Sequence, residues 1–311
     1  MKVSVIIPVF NASLYLTRAV ESVLIQPEVD EIILVEDDST DDSLVICQML
    51  ASKYDKIKLF RHKDGVNKGA GASRNLGLLN ATNEYIAFLD ADDYYLPERF
   101  FDTQKIFQTK EVKVVFEAVG ADYQNSTAKI KHLERIKAAN NPALNSGNTM
   151  LLESDTSKVL ESLILGGKGW IHLNGLTIKK EVINSETLFN ESLRVSQDSE
   201  FIIKLAIKHK FKNGQFDRIV AIRYVHDNNR IIAGDDKTKF IRKARFNKIL
   251  FRTVLKNSKF VSFRVKKVVL IRYSESFIYY FYLKGFFRKI VKAIILGYAI
   301  LRFPVLIKEF I

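Results

Sequence analysis

Three acidic clusters carry the chemistry open to this 311-residue sequence. They are Glu36-Asp37-Asp38-Ser39-Thr40-Asp41, Asp90-Ala91-Asp92-Asp93 and Gln197-Asp198-Ser199-Glu200. Any one of them alone also reads as a polar turn, since Thr40 or Asp41 can cap a following helix. Asp90, Asp92 and Asp93 make the sharpest case. Carboxylates packed so closely repel one another, and near a partly buried strand end they need a cation or several donors to compensate. Carboxylate oxygens are hard ligands and suit Mg²⁺ or Mn²⁺. A hard cation with open positions is what a diphosphate requires. On an extended backbone Asp90 and Asp92 would face the same side.

These residues need a scaffold that gathers them. Val3–Val9 is a nearly unbroken apolar run, as expected of a strand covered on both faces. Ile32–Val35, Ile57–Phe60, Tyr85–Leu89, Val112–Val119 and Ile219–Val225 read as further strands. Helical spacing of apolar residues follows at Leu14–Leu24, Leu44–Leu50, Ala70–Leu79 and Asp198–His209. Pro97 suits the first turn of a helix running to Phe107. The stretch from Tyr123 to Ser157 is polar, rich in Asn and irregular, and is expected to be a long loop. Alternating strands and helices predict an α/β fold, a mainly parallel sheet flanked by helices. In such sheets ligands bind at the carboxyl ends of strands, where the first two acidic clusters fall.

Four segments in order carry a resemblance: Val3-Ser-Val-Ile-Ile-Pro-Val-Phe-Asn11, the Glu36–Asp41 turn, Asn67-Lys-Gly-Ala-Gly-Ala-Ser-Arg-Asn-Leu-Gly77 and Leu89-Asp-Ala-Asp-Asp93. Together the sequence resembles the family 2 glycosyltransferases, inverting enzymes of the GT-A nucleotide-diphospho-sugar transferase fold. The likeness is strong over residues 1–100 and looser over 165–230. It implies a catalytic domain over 1–235, with a donor half to about residue 120 and an acceptor half from 121. Pro8, Phe10 and Asn11 fall in the loop beneath the nucleotide base. Asp37, beside Glu36, takes the place of the acid that accepts the uracil N3–H. Asn67, Gly69 and Arg74 belong to the segment near base and diphosphate; Arg74 also reads as a helix residue paired to a strand-end acid. Asp90, Ala91 and Asp92 match the DxD motif that meets ribose and metal. The metal set is Asp92 and Asp93, with His226, and Arg230 beside it, within reach of the diphosphate. Trp170 is expected to wall the sugar site or to sit in the core. Asp198 would be the general base, with Gln197 where the family usually has Glu. Asp38 replaces the usual glycine of the turn and tolerates a left-handed backbone. His62, His132, His172 and His209 show no ligand spacing.

Charge divides the chain. Residues 237–311 hold 19 Lys and Arg against two acids, +17, within a whole-chain charge of +13, so residues 1–236 carry −4. Bulky apolar residues interleave with these bases over 236–311. The longest uncharged runs there, Phe277–Leu283 and Ala293–Leu301, fall short of the roughly 20 residues needed to span a bilayer. This predicts a basic amphipathic helical region lying on an anionic membrane surface. Nucleic acid is not expected as a partner, because no reader motif is present. A homo-oligomer through the same helices is left open. One cysteine excludes a disulfide framework. Met-Lys leads directly into a strand, so no signal peptide is expected, and the location implied is cytoplasmic, peripheral on the inner face of the cell membrane. The expected reaction is sugar transfer from a UDP-sugar to a hydroxyl of a lipid-linked or cell-surface polysaccharide acceptor, with Mn²⁺ or Mg²⁺. Transfer to a polyprenyl phosphate and a non-catalytic, nucleotide-binding scaffold are the alternatives.

Overall fold

The structure, a computed structural model, describes residues 1–138, 155–166, 168–226, 236–280 and 297. Its contacts divide the chain into two compact units, Met1–Asn229 and Arg230–Ile311.

The first unit is built on β1 (Val3–Val9). Parallel β2 (Val29–Glu36) lies on one side of it and β4 (Tyr85–Phe88) on the other, and β3 (Ile57–Arg61) extends the sheet beyond β2. Alternate residues of these strands enter different cores. Val5, Ile7, Ile32 and Leu34 pack with α1 (Leu16–Leu24) and α2 (Ser43–Lys53). Ile6, Ile33, Ile86 and Phe88 pack with residues of α3 (Ala70–Asn80) and of α7 (Gln197–Lys208). A central parallel strand thus has no solvent face, which is why β1 reads as a continuous apolar run. Helix α1 buries Leu16, Ala19, Val20 and Val23, the stripe its spacing predicts.

The sheet continues as β8 (Leu176–Lys179), β6 (Val114–Phe116) and β9 (Phe211–Asn213), in the order β3-β2-β1-β4-β8-β6-β9. Strand β8 runs antiparallel to both its neighbours. A second, three-stranded sheet joins β5 (Tyr94–Tyr95), β10 (Ile219–Val225) and β7 (Ala118–Tyr123). The expected strand Val112–Val119 is therefore two strands in two sheets, broken at Glu117. There the chain turns because Glu117 N–H donates to Gly175 O at 2.9 Å while its buried carboxylate pairs with Arg99 and accepts from Thr103 Oγ1 at 2.6 Å. Burial raises the Glu117 carboxyl above its usual range despite Arg99.

Two other expectations are corrected. Pro97 does not open a helix: residues 97–100 form a turn with Glu98 at φ +58°, and α4 begins later (Phe101–Ile106). The polar stretch after Tyr123 is not all loop, since α5 occupies Ser126–Ala138, followed after residue 154 by α6 (Val159–Leu165). Helix α5 escaped notice because its buried positions include Ala128 and His132 while Ile130 is exposed, so it has no apolar stripe.

The second unit contains α8 (Asp236–Lys256) and α9 (Phe263–Tyr280). They pack through Phe251 stacked on Tyr273, centroids 4.7 Å apart, and through Asn247 Nδ2 donating to Ser276 Oγ at 2.6 Å. Every Lys and Arg of α8 is exposed. No helix among the described residues is long and apolar enough to cross a membrane. Residues 281–283, the run 293–301 apart from Gly297, and Arg230 lie outside the described residues.

Candidate active site

The carboxyl ends of β1 and β2 and the segment before α3 form one corner. Asp37, 2 % exposed, accepts from the backbone N–H groups of Lys68 and Gly69, each at 2.8 Å, and His62 Nε2 lies 3.5 Å from it. Asn67 Nδ2 donates to Asp37 O at 2.9 Å. Asn11 closes the corner: its Oδ1 accepts Thr40 N–H at 2.8 Å and its own N–H donates to Ser39 Oγ at 3.1 Å. Asp38 sits at φ +62°, in the left-handed region where a glycine is easiest. Glu36 holds that turn: one oxygen accepts Ser39 N–H at 2.5 Å and the other accepts from Arg61 at 2.7 Å. Its carboxylate, 1 % exposed, is occupied by this bracing. Pro8 is on β1 opposite Val35, and Phe10 follows the strand. Gly69 carries φ +88° and precedes α3; a Cβ there would lie 2.4 Å from the Arg194 guanidinium.

The second acidic cluster is a turn, not an extended segment: Asp93 N–H donates to Asp90 O at 3.0 Å. Asp90 and Asp92 therefore take different partners, against the expectation that they share a side. Asp90 Oδ1 accepts from Arg74 at 2.5 Å, the ion pair of a helix arginine with a strand-end acid. Burial opposes ionisation of Asp90, but Arg74 foremost outweighs it and holds the carboxyl below the usual range. Asp92 Oδ2 lies 3.1 Å from His226 Nε2, while Arg18 donates to Asp92 O at 3.3 Å. Tyr15 stacks on the His226 ring at 4.8 Å, and the Arg18 guanidinium lies 4.5 Å from the centres of both Tyr94 and Tyr224. Ala91 is buried within the turn. Asp93, 2 % exposed, accepts from Tyr224 N–H at 2.8 Å and from Asn174 Nδ2 at 2.6 Å. Burial, with Asp92 and Asp90 alongside, pushes its carboxyl well above the usual range.

The donor set fits a hard divalent cation. Of the expected metal set, Asp92 Oδ2 and His226 Nε2 pair with each other at 3.1 Å, while Asp93 turns its oxygens to Tyr224 N–H and Asn174 Nδ2. Asp90, Asp93 and His172 also bring one oxygen or nitrogen each within 4.8 Å of one another.

The third cluster opens α7. Ser196, at φ +62°, is the N-cap, so Asp198 is not the capping residue, and no hydrogen bond engages its carboxylate among the described residues. Its charge acts on the His172 ring together with that of Asp90. Trp170, two residues upstream of His172, is half-buried. Asn174 was not foreseen: wholly buried, it donates from Nδ2 to Asp93, accepts Asp90 N–H on Oδ1 at 3.2 Å and accepts Arg99 Nε on its carbonyl at 3.1 Å. Nothing in a lone Asn or His within an apolar stretch flags such a role.

Comparisons with known proteins bear on the family and the fold. The family description "Glycosyl transferase family 2" matches residues 4–160. An uncharacterized glycosyltransferase of Nostoc sp. is 45% identical over 115 residues, 36% of this chain and 34% of that protein. The minor teichoic acid biosynthesis protein GgaB of Bacillus subtilis is 29% identical over 214 residues, 68% of this chain and 21% of that protein. The chain spans about a third or less of the length of these relatives. The crystal structure of S. aureus TarS 1-349 in complex with UDP-GlcNAc superposes with a TM-score of 0.60 at 18% identity, covering 88% of this chain and 73% of that one.

Proposed function

The chain belongs to glycosyltransferase family 2, and from that membership we propose an inverting sugar transfer from a UDP-sugar to a hydroxyl of a lipid-linked or cell-surface polysaccharide acceptor. One observation carries the reading. Arg74 of α3 pairs with Asp90 at the carboxyl end of β4 while Asp37 at the end of β2 grips the backbone before α3, so the motif segments converge at the carboxyl ends of the central parallel strands. The similar TarS structure is a complex with UDP-GlcNAc and GgaB is a minor teichoic acid biosynthesis protein, which supports a UDP donor and a polymer acceptor.

Asp37 would accept the imino N–H of the base on lone pairs left over from its two backbone donors. Arg74 would hold Asp90 in place against the ribose. Asp92, Asp93 and His226 would hold Mn²⁺ or Mg²⁺. When bound, that ion neutralises charge on the departing diphosphate. Asp198 would take the acceptor's hydroxyl proton as its oxygen bonds to sugar C1 and the C1–O bond to UDP breaks on the opposite face. Residues 236–311 would lie against an anionic membrane, keeping the catalytic domain, residues 1–235, beside its acceptor on the inner face of the cell membrane.

The test is a panel of UDP-, GDP- and dTDP-sugars with Mn²⁺, read as nucleotide released. Release from one UDP-sugar that stops with EDTA and in Asp92→Ala is expected, with Asp198→Asn lowering transfer roughly 10²–10⁴-fold. Absence of both donor binding and release would overturn the proposal in favour of a scaffold without turnover.

A further inference from the structure

We propose that Asn75 and Gly71 of α3 are positioning residues for Asp198: they seat the loop before α7 and the first turn of α7, and so fix where the base carboxylate stands. The inference rests on Asp198 as the base and adds the residues that aim it.

The seat begins at Asn75. Its side chain is buried and closes on both backbone groups of Phe189: Oδ1 accepts Phe189 N–H at 2.8 Å and Nδ2 donates to Phe189 O at 2.9 Å. The same Nδ2 donates to Glu191 Oε1 at 2.9 Å. Gripping the N–H and the C=O of one residue fixes the backbone there in place and in direction.

Phe189 passes that constraint to α7. Its ring stacks on Phe201, centroids 4.0 Å apart and 8° between planes, and both residues are buried. One turn earlier, Gln197 lies on Gly71: a Cβ at Gly71 would collide with Gln197 Oε1 and stand 3.6 Å from Phe189 Cβ. Gln197 and Phe201 are four residues apart, so they share a face of α7. That face is held at one end by α3 and at the other by Phe189, which keeps the helix from rolling about its axis. Asp198 follows Gln197, about 100° around the helix. With no hydrogen bond on its carboxylate among the described residues, its direction comes from how α7 is seated. Arg74, next to Asn75, pairs with Asp90, so one helix registers the donor acids and the base together.

The experiment uses the full chain with Mn²⁺ and the donor panel, read as UDP released, with UDP binding and urea unfolding alongside. Asn75→Ala is expected to slow release about ten- to a hundredfold while leaving UDP affinity unchanged. In an Asp198→Asn background it should cost nothing further, because a residue that acts through Asp198 has nothing left to aim. Gly71→Ala separates positioning from folding. Alanine favours the helix, so the unfolding midpoint should hold, while the buried Gln197 is displaced and release falls about three- to tenfold. Amide exchange over residues 189–201 needs no turnover, and it should quicken about tenfold in Asn75→Ala. Release at the unaltered rate in Gly71→Ala, a full additional loss in the Asp198→Asn background, or unchanged exchange would each overturn the proposal. Normal turnover in Asp198→Asn alone would instead sink the base reading, and this inference with it.

Discussion

Asp37 sits where a nucleotide base is expected, yet its carboxylate already holds two backbone amides of the segment before α3. The residue therefore shapes the corner as well as lining it. Asp37→Asn turns one acceptor into an NH₂ that faces a backbone N–H, at a cost of roughly 1–3 kcal/mol. The expected result is a lower denaturation midpoint together with weaker UDP binding; loss of UDP binding alone would make Asp37 a contact residue only. Cys47 gives a second prediction. Burial foremost, then Glu36 and Asp41, pushes its thiol up to about 12, so thiolate is scarce at neutral pH. It should resist alkylation in the folded protein and react promptly in denaturant. At this scale the sequence carried the charged residues well: the four motif segments meet at the carboxyl ends of the strands. It did not carry Asn174, whose bonds to the acidic turn come from the short turn Leu173–Gly175 that precedes β8. It also misjudged Asp90 and Asp92 as sharing a side, because alternation holds on a strand and these residues are in a turn.

The elements most legible in the sequence were those whose burial is simplest. Strand β1 matches its expected bounds because both its faces are covered. Helix α1 shows its stripe because only one face is. Strand β8 is silent in the sequence, since four residues between two antiparallel neighbours leave too short a pattern. The break at Glu117 was hidden inside an apolar run, and only the buried ion pair reveals it. Gly175 lies at that joint: a Cβ there would be 2.3 Å from Glu117 O, a backbone atom that cannot swing aside. Gly175→Ala is expected to destabilise the fold by about 1–3 kcal/mol, measured by urea unfolding. Gly69→Ala would meet a clash of another kind, against the movable end of Arg194, although its positive φ still disfavours it.

For the molecule as a whole, charge is the organising fact. Over residues 237–276 the exposed face of α8 and α9 is crowded with Lys and Arg, and Glu275 is the single acid. Anionic lipid attracts such a surface by about 1 kcal/mol per basic residue close to it, and salt screens the attraction. The full chain is expected to sediment with phosphatidylglycerol vesicles in low salt, to be released in high salt, and to ignore neutral phosphatidylcholine. Equal binding to both vesicle types would remove the electrostatic argument for a membrane. The buried Arg99–Glu117 pair sits at the break between β6 and β7, where the chain passes from one sheet to the other. Arg99 also grips the Asn174 carbonyl, and Asn174 grips the acidic turn. Among the described residues the acidic turn is thus clamped to the joint between the two β-sheets, so inactivation and collapse of the sheets should come at one temperature.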